Sequence, residues 1–116
     1  MVTEDYVSFE TAKLLKEKGF DEPCYKSYNY EGCLCNGFTY GPHAPTLQMA
    51  MKWLREEKGI QIEISIVGTD TWESPMKWVY GFRCQTKDII DRRHVDFSTY
   101  EQACEAAIKY CLEKLI

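Results

Sequence analysis

The sequence predicts an α+β domain built as a two-layer sandwich. An antiparallel sheet of three to four strands carries three helices on one face, in the order αβ(β)αββ(β)α. Three observations predict it. Between His43 and Val67 a helical stripe ends at a glycine and turns directly into an alternating strand. A second alternating run follows at residues 76–85, across a polar connection. Two more apolar stripes of helical period, each behind a capping residue, stand near the two ends of the chain.

The first stripe starts behind Ser8, whose hydroxyl suits an N-cap, with Glu10 in the first turn to favour the helix dipole. Phe9, Ala12 and Leu15 are its candidate core residues. Gly19 suits the left-handed position after the last turn, where Phe20 can fold back onto Leu15. Residues 24–30 form a short tyrosine-rich strand. Glu31-Gly32 and Asn36-Gly37 are two turn signals close together, so residues 31–44 form either a small hairpin or an irregular loop.

In the central unit, Pro45 suits the first helical position, since its missing N–H has no intrahelical partner there. Leu47, Ala50, Met51, Leu54 and the stem of Lys58 fall in one stripe at 100° per residue. Met49 and Trp53 form a second ridge, four residues apart and off that stripe. Gly59 ends the helix. Ile60, Ile62, Ile64 and Ile66 then alternate with Gln61, Glu63, Ser65 and Val67, the period of a half-buried strand.

Thr69 to Pro75 is a polar connection with Trp72 near its tip. Met76, Trp78, Tyr80, Phe82 and Cys84 continue the apolar face on a strand expected to pair antiparallel with residues 60–67. Ile89-Ile90 or His94–Phe97 are candidates for a short third strand. Ser98 and Glu101 have the spacing of a capping box before the last helix. Tyr100, Ala103, Cys104, Ala107, Ile108 and Cys111 make that helix's buried stripe.

At 116 residues the chain has the length of one domain, and such a domain buries somewhat over ~60% of its unfolded surface without help from disulfides or metals. A net charge of −4 without a basic block speaks against broad attraction to nucleic acid or anionic membrane. No apolar run approaches a membrane span, and the N-terminus lacks the pattern of a secretory signal. A cytoplasmic protein with six reduced cysteines is the expectation. Cys24, Cys33 and Cys35, with His43, are the weak metal candidates. Their C-x-C spacing departs from the C-x₂₋₄-C of zinc modules, so no metal and no cofactor is expected.

The segments ETAKLLKEKGF at 10–20, PTLQMAMKWLRE at 45–56 and TYEQACEAAIKYCLE at 99–113 resemble a family of small uncharacterised proteins. Its members occur in gut anaerobic bacteria, their phages and mobile elements. The resemblance spans nearly the whole chain and implies a bacterial or phage cytoplasmic protein. It implies no activity, ligand or catalytic residue.

Three functional readings follow. A small cysteine-dependent enzyme needs a thiolate with a nearby base, and only sequence proximity links Cys33 or Cys35 to His43. A nucleic-acid module has a topological argument, because residues 45–115 resemble the helix–strands–helix order of double-stranded-RNA-binding modules. Its chemistry is poor: Glu101 and Glu105 stand where phosphate lies, and Arg92, Arg93 and His94 have the plain reading of a solvated turn. The favoured reading is a protein-binding or accessory module that engages an unknown protein partner or a second copy. Met49, Trp53 and Trp72 are its candidate anchors. The competing role for Trp53 is core, and for Trp72 packing onto its own hairpin.

Overall fold

The computed structural model describes residues 2–67, 77–84, 90–92 and 96–116. In chain order the elements are α1 (Phe9–Glu17), β1 (Lys26–Tyr28), β2 (Leu34–Asn36), α2 (Leu47–Lys58) and β3 (Ile60–Val67). There follow β4 (Lys77–Cys84), β5 (Ile90–Arg92), α3 (Tyr100–Tyr110) and a π-helical extension, Cys111–Leu115. The α+β class is as the sequence predicts.

Helix α1 is set by its ends. The Ser8 hydroxyl accepts from the Thr11 N–H. At the other end Gly19 (φ 99°) turns the chain so that the Gly19 and Phe20 amides donate to the carbonyls of Lys16 and Leu15, at 3.2 and 2.9 Å. Both bonds satisfy carbonyls that the helix leaves without partners.

Helix α2 begins at Leu47, two residues later than expected. Thr46 is the N-cap, its hydroxyl accepting from the Met49 N–H at 3.1 Å. Pro45 instead lies before the cap and gives its carbonyl to the Val7 N–H at 3.0 Å. A threonine hydroxyl satisfies a helix-end donor, which a proline ring cannot do. The same substitution occurs at α3: Thr99, not Ser98, caps the helix by accepting from the Gln102 N–H at 3.1 Å. Ser98 reaches over to the Gln102 side chain instead, at 2.8 Å.

Gly59, with φ 69° and ψ 22°, closes α2 and starts β3. β3 and β4 pair antiparallel with Ile60 opposite Cys84, Ile62 opposite Phe82, Ile64 opposite Tyr80 and Ile66 opposite Trp78. This register places every isoleucine across from the apolar face of β4. β5 joins the other side of β4, and Phe97 adds a bridge to Trp78. The third strand therefore draws on both candidate stretches.

Ile60, Ile62, Tyr80 and Phe82 are buried, and α2 and α3 pack on this sheet. Leu47, Ala50, Met51 and Leu54 of α2 are buried, as are Ala103, Cys104, Ala107 and Ile108 of α3. Glu63 and Arg83 lie on the opposite face, paired at 2.8 Å. α1 packs on α3 and its π-helical extension. An ion pair between Lys109 and Glu10, at 2.9 Å, ties the same two helices. The Lys109 hydrogen bond and charge hold the Glu10 carboxyl below its usual value, though both groups are exposed and screened by salt.

Trp53 is core: only 7% exposed, it meets the Phe20 ring edge-on at 5.4 Å. The ammonium of Lys58 sits 5.4 Å from the centre of its indole. Phe20 arrives there because Gly19 ends α1, so the Trp53 end of the ridge is covered by the segment that follows α1. Trp53 is thus unavailable as a partner anchor, and only Met49, 44% exposed, remains open on that ridge. Trp72, Met76, Arg93 and His94 lie outside the described residues.

Replacing Trp53 by alanine is expected to cost ~3–5 kcal/mol of stability, read from urea unfolding, because it leaves a cavity under Phe20. A loss below ~1 kcal/mol would place the indole outside the core.

Candidate functional site: an exposed aromatic ribbon

Residues 25–44 resolve into a ribbon separate from the main sheet. β1 pairs with β2, Lys26 opposite Asn36 and Tyr28 opposite Leu34. Asn29 builds the turn: its side-chain oxygen accepts from the Glu31 and Cys33 amides, both at 2.9 Å, and its own N–H donates to Cys33 O at 3.0 Å. Gly32 (φ 82°) supplies the left-handed residue this turn needs.

After Gly37 the chain folds back along the other side of β1. Tyr28 N donates to Pro42 O at 2.9 Å and Ala44 N to Lys26 O at 3.0 Å, with a bridge between Ser27 and His43. β1 is therefore bonded on both edges. The fold-back is held from inside by hydroxyls. Thr39 Oγ1 donates to Tyr28 O at 2.6 Å and accepts from Gly41 N at 3.2 Å, while the buried Ser27 hydroxyl lies 2.7 Å from Gly37 O. Gly41 runs so close to β1 that a Cβ there would sit 1.8 Å from Tyr28 O.

This tight wrap buries Ser27 and turns the rings outward. Tyr25, Tyr30, Phe38 and Tyr40 are 94, 81, 81 and 79% exposed. Tyr30 and Tyr40 lie parallel (5°) with ring centres 6.5 Å apart, and Phe38 stands edge-on to both Tyr40 and His43. Only Tyr28 turns in, donating its hydroxyl to Val7 O at 2.6 Å; burial, then the Glu105 charge, pushes its pKa up. Between α1 and the ribbon runs a groove of about 600 Å³, with Phe9, Tyr30, Tyr40 and Pro42 among its lining and Lys13 and Lys16 on the helix side.

The metal candidates are not assembled. His43 Nδ1 lies 2.9 Å from Glu22 O, and Cys24 Sγ is 3.5 Å from the same carbonyl. Cys35 bonds to Cys33 O and the Asn29 amide, and Cys33 is exposed. Among the described residues no group of three His, Cys, Asp or Glu side chains is placed to hold an ion. Nor do the thiols have the setting of a nucleophile: His43 is engaged by Glu22 and Phe38, not by Cys33 or Cys35. Burial raises the Cys24 thiol, with Glu22 adding to it, and pushes Cys104 to about 11 and Cys111 to about 12.

The start of α3 is acidic in space as well as in sequence. Glu4, Asp5, Glu101 and Glu105 all line a groove of about 660 Å³. Glu105 itself reaches the first turn of α1, where its Oε1 accepts from the Ser8 N–H at 3.1 Å, the Ser8 hydroxyl, and the Thr11 hydroxyl at 2.6 Å. A carboxylate here satisfies helix-end donors of α1. The α2-β3-β4-β5-α3 half follows a helix–strands–helix order, and its last helix begins with Glu101 and Glu105 where a phosphate-holding module needs cations.

The aromatic ribbon was the feature that sequence reasoning did not single out. Its signal is present: Tyr30, Phe38 and Tyr40 sit beside the EG and NG turn pairs, where no alternating apolar pattern gives them a core to enter. No family model, curated protein or solved structure matches the chain.

Two outcomes follow from this geometry. Iodoacetamide at neutral pH should label Cys33 first and leave Cys104 and Cys111 unmodified until the protein unfolds, as peptide mass mapping would show; early labelling of either would contradict their burial. Gly41→Ala should lower stability by at least ~1–3 kcal/mol, the range for forced overpacking, and an unchanged unfolding midpoint would refute the close approach to β1.

Proposed function

We propose that the protein is a non-enzymatic protein-interaction module, with the aromatic ribbon as its docking surface. The observation that carries this reading is the exposure of Tyr30, Phe38 and Tyr40 in mutual ring contact, with Tyr25 exposed at the start of the same ribbon. Interfaces are enriched in such rings, because tyrosine combines a large apolar face with a polar tip. A scaffold that holds them outward through Asn29, Thr39 and Gly41 presents them with little conformational entropy left to lose on binding. The family resemblance supports a bacterial or phage setting, with a host or phage protein as the partner.

Exposed rings also stack on nucleic-acid bases. The acidic groove at α3 and the net charge of −4 weigh against that ligand, since the phosphate backbone supplies most non-specific affinity. An enzymatic role has less support, as no cysteine–histidine pair is assembled among the described residues.

The test compares the protein with its Tyr30→Ala, Phe38→Ala, Tyr40→Ala variant as baits in one lysate, with circular dichroism to show that both are folded. Each hot-spot ring removed costs ~2 kcal/mol or more of binding, so a true partner should be retained only by the unaltered bait. Equal retention by both baits would overturn the reading. A concentration-dependent dimer by light scattering, lost in the variant, would replace the partner by a second copy.

A further inference from the structure

β3 is the edge of its sheet, in the order β3-β4-β5. Which of its backbone groups face outward follows from the next strand. Trp78 exchanges both of its backbone bonds with Phe97, on the β5 side of β4, at 2.8 Å each. By alternation, Lys77, Val79, Gly81 and Arg83 turn their backbone groups toward β3. Their partners are Val67, Ser65, Glu63 and Gln61, so the N–H and C=O of Ile62, Ile64 and Ile66 point away from the sheet. Among the described residues no other strand meets them. The Ile62 carbonyl alone is taken, by the side-chain amide of Gln61 at 3.0 Å, which stands in for a neighbouring strand's N–H.

Beside this edge is a groove of about 400 Å³ between β3 and α2. Met51, Ile62 and Ile64 line it, with Lys52 and Arg55 on the helix side. Gln61 also lines it, which shows that the groove opens to the strand edge. Lys52 and Arg55 are exposed, and among the described residues neither takes part in an ion pair. Unpaired backbone groups, an apolar floor and two unneutralised cations thus converge on one strip.

We propose that the β3 edge and the α2 groove form a strand-addition site for an extended acidic peptide. The peptide adds as a fourth strand, its main chain bonding to Ile62, Ile64 and Ile66 and displacing the Gln61 amide. Its side chains alternate, so one face enters the groove, where apolar residues meet Ile62 and Ile64 and carboxylates meet Lys52 and Arg55. A second copy of this chain fits less well. Edge-to-edge pairing of two β3 strands sets both α2 helices along one seam, with Lys52 and Arg55 of each copy facing like charge. This site shares no residue with the aromatic ribbon, so either can fail without the other.

The probe is a capped decapeptide with threonine at alternate positions and glutamate or valine at the others, followed by amide chemical shifts and calorimetry. Binding should shift β3 and α2 amides, weaken with salt, and vanish when alternate peptide amides are N-methylated. Lys52→Glu with Arg55→Glu, both on the surface, should weaken it about tenfold or more, the worth of two exposed charge pairs reversed, and favour a lysine-for-glutamate peptide instead. No binding at millimolar peptide, equal binding of the lysine peptide by the unaltered protein, or indifference to N-methylation would overturn the proposal. So would a dimer by light scattering whose β3 amides are already protected.

Discussion

The contact that joins the molecule is the edge-on packing of Phe20 against Trp53. The αβββα half has its own logic, in which isoleucines on β3 meet aromatics on β4 and both are roofed by α2 and α3. The first half of the chain has no such sheet to cover. It is secured to the rest through Val7, Ala12, Leu15 and Phe20, which share one buried cluster with Trp53 and the core of α3. Around it the backbone is stitched as well. Val7 N donates to Pro45 O, Leu47 N to Asp5 O, and Tyr6 bridges to Thr46, so the segment before α1 runs beside the start of α2. Glu105 then anchors the first turn of α1 to α3.

That arrangement explains where the exposed rings come from. With α1 committed to α3 and its π-helical extension, the ribbon between α1 and α2 has little apolar surface left to pack against. Tyr28 takes it, plugging toward Val7, and Phe9 meets Tyr28 edge-on at 5.4 Å. The remaining aromatics of the segment project from a backbone pinned on both edges of β1. Rings fixed outward at this density are costly for solubility, and a binding role supplies a reason to keep them.

Much of the scaffold was legible because period-two and period-3.6 patterns report directly on which side is dry. The β3–β4 register and the α2 and α3 stripes are of this kind. The starts of α2 and α3 were legible only to within one or two residues. At 98–99 two capping-competent residues adjoin, and at 45–46 a proline suited to the first turn precedes a threonine suited to the cap; there the Pro45 carbonyl is held by the Val7 N–H, outside the helix. The ribbon was not legible. Its order comes from side chain–backbone bonds by Asn29 and Thr39 and from a non-local close approach at Gly41, none of which leaves a periodic trace. Trp53 shows the same limit: its position on α2 is local, but its cover is supplied from Phe20, and only the folded chain brings the two together.

The central claim is that α1 and the ribbon belong to the same cooperative unit as the αβββα half, through Trp53, Phe20 and Glu105. Native-state hydrogen exchange in low denaturant measures this directly. The account predicts that protected amides in α1, such as those of Leu15 and Lys18, share one opening free energy with those of Ala107 and Ile108 in α3. Amides of α1 and β1 opening together at a distinctly lower free energy, while α3 stays closed, would contradict it.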